Sequence, residues 1–114
     1  MNPNADLPDA ELPEVTAEEA RAEVAAGTIL LDVREQDEWD AGHAPDARLL
    51  PLSELQQRVA EVPTDARVLV VCHSGMRSMR ATAFLRDSGV DAVNVTGGML
   101  AWTAAGGPVE AADR

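Results

Sequence analysis

Val68-Leu69-Val70-Val71 is an unbroken aliphatic run that ends on Cys72 and is followed, after a glycine, by a helix-like pattern. A strand without polar alternation must be covered on both faces, the condition of an inner strand in a parallel sheet. The segment therefore predicts a strand at the centre of an α/β domain, with Cys72 at its carboxyl end. In such open sheets, ligands bind just beyond the carboxyl ends of the strands.

The rest of the chain supplies matching pieces. Thr16-Ala17-Glu18-Glu19 reads as a capping box that opens a helix ending near Gly27, and Thr28 to Val33 follows as a strand. Arg34 to Pro45 reads as loop with a helical turn, Leu49 to Leu52 as a second short apolar run, and Ser53-Glu54-Leu55-Gln56 as another capping box opening a helix to about Val62. Ser78 to Ser88 is expected as a helix stopped by Gly89, Ala92 to Val95 as a last strand, and Met99 to Ala105 as a short closing helix. Strands and helices alternate, which implies an α/β fold with an open parallel sheet and right-handed crossovers.

At 114 residues there is room for one core and one site. Residues 1–14 hold three prolines and four acids without a base, so they are expected as a disordered tail, with the domain at 15–107 and a short C-terminal tail at 108–114. The chain has nine basic and twenty acidic residues, no lysine, and a net charge of −11. That balance argues against a sequence-independent grip on nucleic acid or anionic lipid. No apolar stretch is long enough for a membrane span and no signal is evident at the N-terminus, so a cytoplasmic location is expected. A single cysteine rules out a disulfide within the chain and leaves Cys72 as a metal ligand, a reactive thiol or a quiet core residue.

The segment His73-Ser74-Gly75-Met76-Arg77 separates Cys72 from the helix expected to begin near Ser78. A short loop of this kind can turn several backbone N–H groups inward, and the helix start adds roughly half a positive charge. Gly75 permits the backbone angles that closure requires, and Arg77 adds a cation. Such a cradle favours an anion at its centre, either a thiolate, which is the nucleophilic form of cysteine, or a persulfide. An accessible sulfur with amides converging on it is the central expectation.

These residues resemble the active-site loop of the rhodanese family: Cys, two variable residues, Gly, one variable residue, Arg, then Ser or Thr, here Cys72, Gly75, Arg77 and Ser78. The likeness extends to Leu31-Asp32-Val33-Arg34-Glu35, Glu38-Trp39, Gly42-His43, Pro51-Leu52, and Gly97-Gly98 with Trp102. The resemblance implies a rhodanese-like open parallel five-stranded sheet with helices on both faces. It implies a catalytic Cys72 that takes sulfane sulfur from a donor, thiosulfate or a persulfide, and hands it to a thiol or cyanide. The loop His73, Ser74, Gly75, Met76, Arg77 and Ser78 would cradle the persulfide, with Asp32 and Arg34 as a supporting network beneath or beside it. No cofactor is implied. Related phosphatases place five residues between cysteine and arginine; the four here, His73 to Met76, make a ring that favours sulfur over phosphate.

Plainer readings stand beside these. His43 and His73 could join Cys72 at a metal, but the conventional ligand spacing is missing, so no metal is expected. Asp32 and Arg34 suit a structural ion pair, Trp39 and Trp102 suit packing, and Gly97-Gly98 suits either a plain turn or a close approach to the cysteine loop. The loop lacks extra basic residues, which puts thiosulfate in question as the donor. It also suits an alternative, a sulfur-relay module that passes persulfide to an acceptor protein with little small-molecule turnover.

Overall fold

The computed structural model describes residues 12–111. Its elements run β1 (Glu14–Val15), α1 (Ala17–Ala25), β2 (Ile29–Asp32), α2 (Gln36–Ala41), β3 (Arg48–Leu49), α3 (Leu52–Arg58), a 3-10 turn (Val59–Glu61), β4 (Arg67–Val71), α4 (Met76–Asp87), β5 (Asp91–Val95) and α5 (Gly98–Ala104). The five strands form one sheet in the order β1-β5-β4-β2-β3, and every pairing is parallel. The Val68–Val71 run lies in the central strand, as its composition requires.

Alternation along the strands divides the core into two faces. Val68, Val70 and Cys72 pack with Leu31, Val33, Leu55, Ala81 and Leu85 on the α3/α4 side. Leu69 and Val71 pack with Leu30, Val93, Val95, Met99 and Trp102 on the α1/α5 side. This parity aims the side chain of Cys72 toward α4.

The helix starts show which local signals prevail. At α1 the Thr16 hydroxyl accepts from the Glu19 N–H at 3.1 Å and the Glu19 carboxylate accepts from the Thr16 N–H at 2.8 Å, the reciprocal box read from the sequence. The second box does not form: α3 begins at Leu52 behind Pro51, and the Ser53 hydroxyl instead donates to Glu35 Oε1 at 2.8 Å. A tertiary carboxylate has taken the hydroxyl that would have capped the helix. α4 starts two residues before the expected position, because Gly75 itself caps it with φ at 107°.

The expected tails need trimming at both ends. Glu14 and Val15 pair with Asn94 and Val95, and the Asn94 N–H donates to the Pro13 carbonyl at 2.9 Å. Glu110 exchanges two backbone hydrogen bonds with His43, and the Trp102 indole donates to the Pro108 carbonyl at 2.9 Å. The remainder of the N-terminal expectation, residues 1–11, and the C-terminal residues 112–114 lie outside the described residues. Among the described residues, no helix is long and apolar enough to cross a membrane.

Candidate active site

Strand β4 ends one residue before Cys72, and four residues, Cys72 to Gly75, carry the chain from strand into α4. The turn tightens at Gly75, whose left-handed φ would strain any side chain. The Gly75 N–H donates to Cys72 Sγ at 3.1 Å, so the amide at the cap of α4 meets the sulfur. The positive end of the α4 dipole therefore faces the same atom.

Ser78, on the first turn of α4, is fully buried and lies 3.3 Å from the sulfur through its hydroxyl oxygen. That oxygen is also 2.5 Å from Asn94 Oδ1 and 3.1 Å from the Gly75 carbonyl. One hydroxyl has one proton, and the shortest of these contacts makes Asn94 its acceptor. The Ser78 oxygen then remains free to accept from a thiol. Strand parity explains the meeting, since Asn94 shares the α4 side with its neighbour Ala92. A lone amide inside the apolar run Ala92–Val95 was the available signal for it.

The loop is fixed from the other side by α5. The Met99 N–H donates to the Cys72 carbonyl at 2.7 Å and the Leu100 N–H to the His73 carbonyl at 3.1 Å. In a trans peptide the N–H points opposite its carbonyl, so the amides of His73 and Ser74 face away from α5. Gly98 makes this approach possible: a Cβ there would lie 2.4 Å from the Cys72 oxygen and 2.6 Å from the His73 oxygen. Of the two sequence readings of Gly97-Gly98, the close approach is the one observed.

Two expectations are corrected. The sulfur is not open, because Cys72 is only 1 % exposed, and a single backbone amide, that of Gly75, bonds to it among the described contacts. The sulfur is packed into the core on the α4 side instead of being held at the surface. Asp32 and Arg34 do not reach it either. Arg34 binds Asp32 through Nε and Nη2 at 2.8–3.1 Å and gives a further bond to the Gly42 carbonyl at 2.8 Å. Asp32 is in register with Val71, so its side chain projects to the face opposite Cys72. The pair is a closed internal ion pair that ties the strand end to the turn after α2.

The remaining loop residues divide by exposure. His73 and Ser74 are exposed, and Met76 is 76 % exposed. Arg77 turns outward to Glu38 on α2, its Nη1 and Nη2 each 2.7 Å from one carboxylate oxygen. Glu38 was visible only as part of a motif, because nothing in its local sequence reveals a partner 39 residues away. A cleft of about 500 Å³ lies between α1, the 44–46 turn and Trp102, on the face away from the sulfur.

Arg77 holds the Glu38 carboxyl at about 2, below the ordinary 4.5, chiefly by hydrogen bonding and against some desolvation. A carboxyl depressed in the folded state binds fewer protons there than when unfolded, so its stabilisation is present above the unfolded value and lost as pH falls through the folded one. The stability advantage of wild type over Glu38→Gln in urea unfolding should be full above pH 4.5 and shrink toward pH 2. An advantage that grows on acidification would contradict the pairing. With both side chains about a third exposed, the effect is modest.

Comparison with known proteins matches residues 16–105 to the rhodanese-like domain family. The chain belongs to that family. Relatives of this rhodanese-like domain include a protein named sulfurtransferase from Allochromatium vinosum, 39 % identical over 73 % of this chain and 78 % of its own length. The uncharacterized protein YqhL of Bacillus subtilis is 42 % identical over 72 % of this chain, which spans 64 % of that relative. Among solved structures, a rhodanese-like domain protein from Staphylococcus aureus superposes with a TM-score of 0.81 at 28 % identity, covering 90 % of this chain and all of the other. The rhodanese-like assignment accounts for the parallel sheet, the cysteine at the end of its central strand and the glycine-capped helix that follows.

Proposed function

We propose that this chain is a cytoplasmic sulfurtransferase that carries sulfane sulfur as a persulfide on Cys72. The observation that carries the reading is the 3.1 Å hydrogen bond from the Gly75 N–H to Sγ, at the start of a twelve-residue helix. A fixed amide and a helix dipole both favour negative charge at that atom. A sulfurtransferase needs such charge twice, first on the attacking thiolate and then on the bound persulfide.

In the first half-reaction the Cys72 thiolate attacks the outer sulfur of the donor. One S–S bond forms as the donor's breaks, and the electron pair leaves with sulfite from thiosulfate or with a thiolate from a persulfide. In the second half an acceptor thiolate or cyanide attacks the outer sulfur of the persulfide and returns Cys72 as a thiolate. The chain has no second cysteine, so the acceptor comes from outside. Because the bare sulfur is buried, a donor reaches it only as the structure packed around Sγ yields. Once formed, the persulfide carries the reactive atom about 2 Å beyond Sγ.

Intact-mass measurement after incubation with thiosulfate and, separately, with an alkyl persulfide tests the reading. The expected result is a gain of one sulfur atom that cyanide removes. No gain from either donor would overturn it. The relay alternative draws support from Met76, an apolar side chain left exposed beside the loop, and predicts fast discharge only to a protein acceptor.

A further inference from the structure

We propose that Glu38 sets the donor preference of this site by cancelling the charge of Arg77, which favours organic persulfides of low charge over dianionic thiosulfate. The inference rests on the sulfur-carrying reading of Cys72 and adds a positioning residue to it. Arg77 and Glu38 meet fork to fork, each nitrogen on its own oxygen at 2.7 Å. A guanidinium used in this way has spent its best anion-binding edge on an internal partner, and the pair carries no net charge.

The surroundings agree. Glu35 stands at the start of α2, and Asp37 and Asp40 lie on α2 with Glu38, so the element beside Arg77 is acidic. An open cleft of about 390 Å³ next to the loop is lined by Met76 and Met79 along with Arg77 and Arg80. The two thioether side chains give apolar, polarisable contact to an organic donor, while Arg80 keeps one cation in the cleft, so the preference concerns the charge that Glu38 cancels at Arg77. Coulomb repulsion scales with ligand charge, so the Glu38 charge costs thiosulfate about twice what it costs a monoanion.

Glu38→Gln removes the charge and keeps most of the geometry. Glu38 Oε1 accepts both from Arg77 Nη1 and from the Glu35 N–H at 3.0 Å, and an amide oxygen in that place keeps both bonds. Only the contact of Oε2 with Nη2 is lost. Loading of Cys72 is followed by intact mass in wild type, Glu38→Gln and Glu38→Asp, with thiosulfate and with an uncharged-chain alkyl persulfide, at low and high salt. The ratio of thiosulfate to persulfide loading rates is expected to rise about tenfold in Glu38→Gln at low salt, to fall back at high salt, and to stay near wild type in Glu38→Asp.

An unchanged ratio, or equal losses with both donors, would overturn the inference, because a purely structural bridge treats both donors alike. Wild type alone gives a second reading that needs no variant. Its thiosulfate loading should hold or rise with added salt, whereas a fall would mean that net positive charge at the cleft, from Arg77 or Arg80, still draws the dianion in, and the inference is wrong. A wild-type protein that takes sulfur from neither donor removes the Cys72 reading itself, and this inference with it. Normal wild-type loading with an unmoved ratio removes only the role of Glu38.

Discussion

Cys72→Ser is expected to lose sulfur loading and transfer by at least about a thousandfold, with the fold intact. An alkoxide does not form at neutral pH to an extent that could replace a thiolate, and oxygen cannot hold sulfane sulfur as a persulfide does. The structure predicts that folding barely notices. The hydroxyl oxygen occupies the sulfur's place, can accept from the Gly75 N–H and lies within reach of the Ser78 hydroxyl. The stability change should stay within about 1 kcal/mol, since a buried thiol acts as a small apolar group and its replacement here has polar partners. Intact-mass loading and urea unfolding measured side by side separate the two effects. Residual loading of the serine variant would place the sulfur on another atom.

Gly98→Ala should damage both stability and loading. The new Cβ would lie 2.4 Å from the Cys72 oxygen, 2.6 Å from the His73 oxygen and 2.7 Å from the His73 carbonyl carbon, all backbone atoms that cannot swing aside. Either α5 or the cysteine loop must shift, and the bonds from Met99 and Leu100 to those two carbonyls break or stretch. The clash with fixed backbone, the two hydrogen bonds, of which the one from Met99 to Cys72 joins buried residues, and the left-handed φ of 59° together predict a loss of about 2–4 kcal/mol. Gly106→Ala is the control, since its φ of 81° carries the same conformational cost while its nearest neighbour is a flexible arginine end 3.6 Å away. If Gly98→Ala costs no more than Gly106→Ala in urea unfolding, the loop is not braced as described.

The legible parts of this molecule were those whose cause is local. The Val68–Val71 run identifies the central strand because its composition admits no wet face, and Thr16 with Glu19 caps α1 because both partners lie within one turn. Ser53 shows the limit, since an equally good box was overridden by Glu35 from across the fold. Strand β1 was hidden among acids and prolines because a two-residue edge strand is held by its backbone, and its side chains announce little. At the site, the positions of Cys72, Gly75 and Ser78 could be read from motif spacing. The depth of the sulfur, the Arg77–Glu38 bridge and the role of Asn94 depend on which strand faces which helix, and that is settled only when the sheet order is known. Asp32 makes the point most clearly, one residue register from Cys72 on the neighbouring strand and on the opposite side of the sheet.

The seat of that sulfur also bears on how the protein ages in air. A thiol at a surface is lost in two ways, by joining a second thiol or by climbing the ladder of sulfur acids. Here the sole cysteine sits 1 % exposed within the core, so neighbouring copies present no pair of sulfurs to couple and oxidants find little to strike. The resting protein is thereby sheltered from covalent dimerisation, because its thiol offers almost no surface to a second sulfur.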